Sequence, residues 1–230
     1  MKLAHVNNIR TREYSIMEES CPFKEKKLQK KAGRPAAFEA DTALDEAVCA
    51  FWRSGYEGTD LAQIASALGA TKPSLYRLFG CKKTLFLEAL KHYAEKSRHR
   101  YLELLEAKIP LREALQQLLM QTITSSSKPG EPQGCFLACV AVAEAQSHPE
   151  AGEIFTQATH QFEEDISKRM ARAIDEGDLP QSFPVARRAN LFISFILANA
   201  LRARSGALPQ ELMDTVDDVL TCVLGQRKEP

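Results

Sequence analysis

The stretch TDLAQIASALGATKPSLYRLFG, residues 59–80, predicts two short helices that are joined by a tight turn. Thr59 precedes the first apolar run, where a side-chain oxygen can cap the start of a helix. Gly69 follows that run, and a tight turn needs a residue that tolerates a positive φ. Pro73 lies in the first turn of the second helix, where its missing N–H costs nothing. This pattern is typical of a helix-turn-helix, which we place at about residues 60–79.

The side chains of this motif divide into a packing set and an outward-facing set. Ala65 is small, as the crossing of the two helices requires, and Leu75 can pack back onto the first helix. We also expect Leu78 and Phe79 to point inward. A recognition helix presents its N-terminal residues to base edges in the major groove, and flanking residues contact phosphates. The predicted DNA contacts in and around the motif are Thr59, Thr71, Lys72, Pro73, Ser74, Tyr76, Arg77, Lys82 and Lys83.

Helical periodicity continues on both sides of the motif. Upstream, Leu44, Val48, Phe51 and Trp52 fall at i, i+4, i+7 and i+8, which predicts an amphipathic core helix. Downstream, Lys82 opens a long helical segment, and similar patterns recur through the C-terminal half. No alternating apolar pattern and no Asn-Gly turn indicates a strand. The sequence therefore predicts an all-α chain of about nine helices, with a three-helix DNA-binding domain before a larger helical domain.

Three segments around the motif resemble the TetR/AcrR family of bacterial transcriptional regulators. They are GRP at residues 33–35, FWRSGYEGT at residues 51–59 and PSLYRLFGCKKTLF at residues 73–86. The resemblance covers about residues 34–97. It implies a homodimeric, all-helical protein, usually a repressor that a small ligand releases from its operator DNA. It also implies that the C-terminal half binds the effector and forms the dimer.

The same resemblance implies roles for individual residues. In that family the tyrosine of the third helix, the Ser or Thr that precedes it and the lysine after that helix touch DNA. These positions correspond to Tyr76, Ser74 and Lys82 in this sequence. Cys81 departs from the pattern, because the family usually has Ser or Asn there. Cysteine is a poor N-cap, so we expect either a weaker start to the fourth helix or a use for the thiol.

Charge is unevenly distributed, although the chain is neutral overall. Residues 1–100 carry a formal charge of +6 and residues 101–230 carry −6. A basic N-terminal half favours a polyanionic partner for that half alone. Arg34 lies in a basic tail with weak periodicity. It either enters the minor groove, as N-terminal arms do, or belongs to a solvated extension that raises non-specific affinity.

These observations predict three parts of the chain. Residues 1–36 form a flexible basic tail, because their apolar periodicity is weak. Residues 37–97 form the helix-turn-helix DNA-binding domain. Residues 98–230 form a helical domain for effector binding and dimerisation. The expected partners are therefore double-stranded operator DNA, a second copy of the chain and a small molecule.

Several classes of protein are disfavoured by what the sequence lacks. No stretch reaches the roughly 18 apolar residues of a membrane span, and the N-terminus has no signal-peptide pattern. No GxSxG or HExxH motif occurs, and the six cysteines form no CxxC pair at zinc-finger spacing. We therefore expect a cytoplasmic protein that is not an enzyme. We also expect it to bind no membrane, no metal and no cofactor besides an unidentified small-molecule effector.

Two apolar helices near the C-terminus predict the homodimer interface. Residues 189–201 are apolar nearly all round, so we expect one face in the chain's own core and another against a second copy. Two such helices from each subunit would form a twofold-symmetric four-helix bundle. The alternative is a monomer that buries both helices. The predicted interface residues are Phe192, Phe195, Ile196, Asn199, Leu212, Val216, Val219, Leu220 and Val223.

Cys135 and Cys139 lie four residues apart on one face of a predicted helix. In one hypothesis they sense oxidants or electrophiles, or bind copper(I), which suits two thiolates. In another they are small apolar residues that pack near the effector pocket. A remote third hypothesis is a thiol-dependent enzyme with Cys135 as nucleophile, but no paired base lies at a recognisable spacing. The sequence identifies neither the effector nor the operator.

Overall fold

Every regular element in residues 40–226, the part of the chain that the computed structural model describes, is a helix. The all-α prediction is confirmed. Two of the predicted helices differ in detail: one begins with a π-helical turn, Leu137–Ala141, and the last is divided at residues 214–215. The predicted basic tail, with Arg34, lies outside the described residues. The helices are α1 (Ala40–Ser54), α2 (Leu61–Ala67), α3 (Lys72–Phe79), α4 (Lys82–Glu106), α5 (Leu111–Ser126), α6 (Val142–Glu144), α7 (Pro149–Asp175), α8 (Val185–Arg204), α9 (Pro209–Met213) and α10 (Val216–Leu224).

The start of α2 is capped by Asp60. Its carboxylate accepts a hydrogen bond from the backbone N–H of Ala62 at 2.9 Å. Thr59 is buried, and its hydroxyl donates to the carbonyl of Gly55 at 2.6 Å, just after α1. The predicted cap is therefore wrong by one residue. Thr59 and Asp60 can both accept a hydrogen bond from the start of α2, but the Asp60 side chain does so while the Thr59 hydroxyl donates to the carbonyl just after α1. The turn after α2 is as predicted, since Gly69 has a φ of 62°.

The first core cluster joins the helix-turn-helix to residues of the C-terminal half. Its centre is aromatic: the ring of Phe136 lies 5.6 Å from Tyr93, 6.1 Å from Trp52 and 6.3 Å from Phe86. Leu75 is buried in this cluster, as predicted. The buried members are Ala43, Ala47, Val48, Cys49, Phe51, Trp52, Leu61, Ile64, Ala65, Leu75, Leu85, Phe86, Ala89, Leu90, Tyr93, Phe136, Leu137, Val140, Ala141, Ala151 and Ile154.

The second core cluster closes the C-terminal half around α5, α7, α8 and α10. Two arginines of α7 fasten the end of α4 to it: Arg169 donates to the carbonyl of Ile109 at 2.6 Å, and Arg172 donates to the carbonyls of Leu105 and Ala107. No helix of this part of the chain is long and apolar enough to cross a membrane. The buried members are Leu105, Leu111, Leu115, Leu118, Leu119, Ile123, Ile166, Met170, Ala173, Ala189, Phe192, Ala203, Leu212, Val216, Val219, Leu220 and Val223.

Helix α4 belongs to both clusters and crosses the predicted boundary at residue 97. On its N-terminal side, Lys96 donates to the buried carboxylate of Asp45 on α1 at 2.7 Å. A short distance further along, Arg98 donates through two nitrogens to the buried carboxylate of Asp165 on α7, at 2.8 and 3.1 Å. Neighbouring turns of α4 therefore hold both α1 and α7.

The predicted dimer residues lie mainly in the core of the chain itself. Phe195 and Ile196 are partly buried against the second core cluster, and Asn199 is buried. The others are fully within that cluster, namely Phe192, Leu212, Val216, Val219, Leu220 and Val223. The outward face of α8 is formed by different residues, all of them exposed: Asn190, Ser194, Ala198 and Leu201.

Candidate functional site

The outward face of α3 carries the predicted recognition residues. Tyr76 is 42% exposed, and Ser74 lies within 2.9 Å of the hydroxyl of Thr71. Lys72 lies 3.8 Å from the carboxylate of Asp60, at the start of α2. Because these side chains are held only by neighbours on the same surface, they are accessible to a partner. Thr71, Lys72, Pro73, Tyr76 and Arg77 are all exposed.

Leu78 is 47% exposed, so the prediction that it points inward is wrong. Phe79 is half-buried against the first core cluster, as predicted. Leu78 lies in the last turn of the short helix α3. The sequence pattern places an apolar residue there, but no neighbouring helix within residues 40–226 covers it.

Lys82 and Lys83 are neighbours in sequence but contact different groups. The ammonium of Lys82 donates to the carbonyl of Glu57 at 3.2 Å and lies 4.9 Å from the centre of the Tyr56 ring. It therefore stays beside the turn between α1 and α2. The ammonium of Lys83 donates to the carboxylate of Glu150 on α7 at 2.6 Å. This hydrogen bond raises the pKa of Lys83 and lowers the pKa of Glu150.

Cys81 does cap α4, despite its departure from the family pattern. Its Sγ accepts from the backbone N–H of Thr84 at 3.5 Å, and lies 3.3 Å from the hydroxyl of the same residue. These hydrogen bonds lower the pKa of the thiol. The side chain is exposed. The sulfur thus takes the place of a hydroxyl or amide oxygen at this cap, with a longer hydrogen bond.

A cavity of about 530 Å³ lies between α4, α5, α7 and α8, with one residue of α1 in its wall. Its surface is mainly apolar, which is usual for a small-molecule site of this size. Polar groups of α4, including Lys91, Glu95 and Arg98, contribute to the lining. The larger apolar and aromatic side chains in the wall are Trp52, Tyr93, Tyr101, Leu118, Leu137, Ile154, Phe155, Phe162, Ile193, Ile196 and Leu197.

Cys135 and Cys139 have different surroundings: Cys135 directly precedes the helical residues, which begin at Phe136, and Cys139 lies in the π-helical turn. Cys135 lines the cavity, and the hydroxyl of Tyr93 donates to its Sγ at 3.6 Å. Burial raises the pKa of Tyr93 well above its ordinary value, so this hydroxyl keeps its proton. Cys139 is not part of the cavity wall, and burial raises the pKa of its thiol. Within residues 40–226, no group of three or more His, Cys, Asp or Glu side chains is arranged to hold a metal ion.

Several residues of this site were not predicted from sequence. The cavity wall comes from five α-helices and from residues 134–137, and the residues that face it share no local spacing. Tyr93 was visible only as part of an apolar stripe on α4. Glu144, His148 and Glu150, which contact the DNA-binding helices, lie in a segment that was assigned only to the C-terminal half. Their partners are 62 to 92 residues away in sequence, so no local pattern could have found them.

Comparison with known proteins places the chain in a family. Residues 43–89 match the model for bacterial regulatory proteins of the tetR family, and residues 112–216 match the tetracyclin repressor-like C-terminal domain. An uncharacterized helix-turn-helix-type regulator of Bacillus subtilis, YezE, is 31% identical over 147 residues, which cover 64% of this chain and 76% of YezE. The chain belongs to the TetR family.

Other relatives of this TetR-family chain extend over more of its length. The transcriptional repressor ComR of Escherichia coli is 28% identical over 84% of this chain and 92% of its own. The solved structure of a cysteine mutant of the TetR-family regulator CifR, in complex with a 26-base-pair operator DNA, has a TM-score of 0.71 and 29% identity. It covers 81% of this chain and 98% of that one. The predicted family is confirmed, and the chain is a DNA-binding transcriptional regulator rather than an enzyme.

Proposed function

We propose that this TetR-family chain is a homodimeric repressor that a small, mainly apolar molecule releases from its operator. The observation that carries the proposal is the composition of the cavity wall. Trp52 of α1 and Tyr93 of α4 line the cavity and also belong to the first core cluster, which contains the helix-turn-helix. A molecule in the cavity therefore contacts residues of the same core cluster that holds α3 in place. The relative ComR is named a transcriptional repressor, which supports this role. We also propose that the protein is cytoplasmic.

On the DNA side, α3 is the element that enters the major groove. Lys72, Ser74 and Tyr76 reach base edges and nearby phosphates, while Arg77 and Lys82 contact the backbone. Thr59 is only 6% exposed and its hydroxyl is engaged, so we assign any contact there to the exposed start of α2 rather than to that side chain. The operator complex of CifR supports this use of the fold.

The second copy packs on the outward face of α8. Ser194, Ala198 and Leu201 are exposed there, and Leu201 is 52% exposed. Small residues let two helices approach closely, which suits a twofold-symmetric contact. Such a dimer places its two recognition helices about one DNA turn, ~34 Å, apart. Leu201→Asp is expected to convert a dimer to a monomer in analytical ultracentrifugation, and unchanged mass would remove this face from the proposal.

Release follows if the effector binds one arrangement of α4 better than the other. A ligand shifts a two-state equilibrium only through its difference in affinity for the two states. The cavity lies along the middle of α4, whose N-terminal end adjoins α3 and whose C-terminal end is held by Arg169 and Arg172. Movement of the middle of α4 is therefore transmitted to the DNA-binding end.

DNA binding is tested with the chain's own upstream DNA at several fixed salt concentrations. Wild type should bind in fluorescence anisotropy, and Lys72→Ala/Tyr76→Ala should not. Lys82→Ala should weaken binding and reduce the salt slope by about 0.9 for each subunit of the dimer. Lys108→Ala is the matched control, because this exposed lysine lies between α4 and α5, away from α3. Equal affinities of wild type and the double variant would remove α3 as the recognition helix.

Release is tested by filling the cavity covalently with N-ethylmaleimide. The background is Cys81→Ser/Cys222→Ser, which removes the two thiols that are exposed within residues 40–226. Alkylation of Cys135 places a small ring in the cavity and should lower operator affinity, with mass spectrometry locating the adduct. Cys135→Ser in the same background should not respond. Full modification of Cys135 with unchanged DNA affinity would refute release through the cavity.

The second candidate function is a regulator that senses oxidants, electrophiles or copper(I) through its thiols. The observation that favours it is the position of Cys135, which lines the cavity beside the hydroxyl of Tyr93. Cys139 has a raised pKa and lies outside the cavity wall, so a one-thiol response is the simpler form. Measurement of operator binding after treatment with diamide or Cu(I) distinguishes a response through Cys135 alone from one that uses both cysteines. A response that survives Cys139→Ser needs only Cys135, and one that requires both residues indicates a disulfide or a dithiolate metal site.

A further inference from the structure

The segment of residues 142–150, here called the corner segment, connects α6 to the start of α7 and touches the DNA-binding helices. Its first contact is made by Glu144, whose carboxylate accepts a hydrogen bond from the backbone N–H of Tyr56 at 3.3 Å. Tyr56 lies in the turn between α1 and α2. A side chain from the C-terminal half therefore helps to fix the turn that leads into the helix-turn-helix.

The second contact is aromatic. The ring of His148 meets the ring of Tyr56 edge-on, with centroids 4.2 Å apart. The other neighbours of the Tyr56 ring include Phe86, at 5.1 Å, Phe51, at 6.1 Å, and the ammonium of Lys82, at 4.9 Å. Tyr56 is thus held between the corner segment and a lysine that we assign to DNA phosphates. A shift of His148 would therefore move the Tyr56 ring, on which the ammonium of Lys82 lies.

The third contact is the ion pair between Lys83 and Glu150. The two groups are 2.6 Å apart, although 67 residues separate them in sequence. Their side chains are 40% and 45% exposed, and exposed ion pairs add little to folding stability. The pair can nevertheless fix the direction of one side chain and the distance between two elements. It directs Lys83 toward α7, whereas Lys82 is directed toward the turn after α1.

The corner segment is continuous with the wall of the cavity. Cys135 and Leu137 line the cavity, and the π-helical turn Leu137–Ala141 runs from them directly into α6. π-Helical turns are uncommon and often occur at functional positions. One short stretch of chain therefore has the cavity at its beginning and the three contacts to the DNA-binding helices at its end.

We propose that Glu144, His148 and Glu150 are positioning residues for DNA binding, and that Lys83 acts through Glu150 and not on a DNA phosphate. This inference rests on the proposed function, since it concerns the same operator complex. It reassigns Lys83 from the predicted DNA contacts to a contact between the two halves of the chain. The corner segment sets the turn after α1 and the first turn of α4, and so determines where Lys82 and α3 lie.

A charge exchange tests the ion pair. Lys83→Glu and Glu150→Lys should each weaken operator binding roughly threefold or more, and the double variant should restore it, because an ion pair forms in either polarity. If Lys83 contacts phosphate, Glu150→Lys would tighten binding and the double variant would stay weak. Either result overturns the proposal. Glu153→Lys, an exposed position one turn further along α7, makes the same charge change without the partner and should leave affinity unchanged.

Two further measurements separate positioning from folding and from direct contact. Lys83→Ala should leave the salt slope of operator binding unchanged, while Lys82→Ala reduces it by about 0.9 for each subunit of the dimer. Glu144→Gln keeps a carbonyl acceptor for the N–H of Tyr56 and should bind like wild type, whereas Glu144→Leu should bind more weakly at an unchanged melting temperature. Absence of operator binding by wild type would refute the proposed function itself. Normal binding by wild type, with equal affinities for Glu144→Gln and Glu144→Leu or a reduced slope for Lys83→Ala, would refute only the positioning role.

Discussion

The two core clusters of this chain differ in what they hold together. The second core cluster contains only residues from Leu105 onward, and it closes α5, α7, α8 and α10 on one another. The first core cluster combines α1, α2 and α3 with Phe136, Leu137 and four later residues. Packing therefore associates the segment around residues 136–154 with the DNA-binding helices, although it lies far beyond them in sequence. A cavity whose wall includes members of the first core cluster is well placed to influence DNA binding.

The largest expected effect comes from emptying the centre of each cluster. Phe136 and Phe192 are both fully buried, one in each cluster. Phe136→Ala and Phe192→Ala should each lower the free energy of unfolding by about 3–5 kcal/mol, measured by urea denaturation. Only Phe136→Ala should also weaken operator binding by folded protein, because only that cluster contains the helix-turn-helix. Equal operator affinities for the two variants would contradict the difference that we draw between the clusters.

A smaller effect is expected at Gly134, which precedes the π-helical turn Leu137–Ala141. Gly134 has a φ of 82°, and a Cβ there would lie 2.8 Å from the carbonyl oxygen of Ala200 on α8 and 2.7 Å from Sγ of Cys139. Gly177 has a φ of 83° but open space around it. Gly177→Ala should cost about 1–2 kcal/mol from backbone strain alone, and Gly134→Ala should cost more. Equal losses of stability for Gly134→Ala and Gly177→Ala in thermal unfolding would mean that α8 moves away to make room for the added methyl group.

Replacing Cys81 should stabilise the start of α4, which carries several residues of the first core cluster. Cys81→Ser substitutes a better acceptor at the cap of α4 and should raise the free energy of unfolding by roughly 0.5–1 kcal/mol. Cys222→Ser is the control in the second cluster's α10, where the exposed side chain caps nothing, and it should have no effect. A loss of stability in Cys81→Ser would show that the thiol has a use beyond capping.

The smallest effect concerns the pH dependence of the contact between the halves. Lys83 lowers the pKa of Glu150 in the folded chain, so the stability from this pair is complete above the ordinary carboxyl pKa of about 4.3. It is lost as the pH falls through the lowered pKa. The stability difference between wild type and Glu150→Gln should therefore be constant from pH 7 to about 5 and vanish at more acidic pH. A difference that persists in acid would show that Glu150 acts through something other than its charge.

Sequence patterns were sufficient for the helices and the recognition motif. Apolar residues at spacings of three and four identified the helices, and Gly69 marked the turn because few other residues adopt its φ. One error arose because Thr59 and Asp60 are both good helix caps, and the sequence does not show which of them caps α2. Another arose at Leu78, where the apolar pattern continues although no core residue in the described part of the chain covers the side chain. The division of the chain at residues 36 and 97 stays a prediction.

The cavity and the corner segment could not be predicted in the same way. Their geometry depends on side chains that come together from distant helices, such as Lys83 with Glu150 and Tyr93 with Cys135. A single sequence records each residue but not the tertiary packing that selects its partner. For the dimer, most residues of the apolar stripes lie in or against the second core cluster, and the homodimer interface stays a prediction.

The chain has only one tryptophan, and its position makes it an intrinsic optical reporter. The indole N–H of Trp52 donates to the carbonyl of Gln133 at 3.2 Å, and its ring lines the cavity 5.2 Å from Tyr93. Indole emission shifts in wavelength and intensity when the polarity around the ring changes. Occupancy of the cavity can therefore be followed by emission from unlabelled protein. Because Trp52 belongs to α1, the same spectrum also registers displacement of the DNA-binding helices.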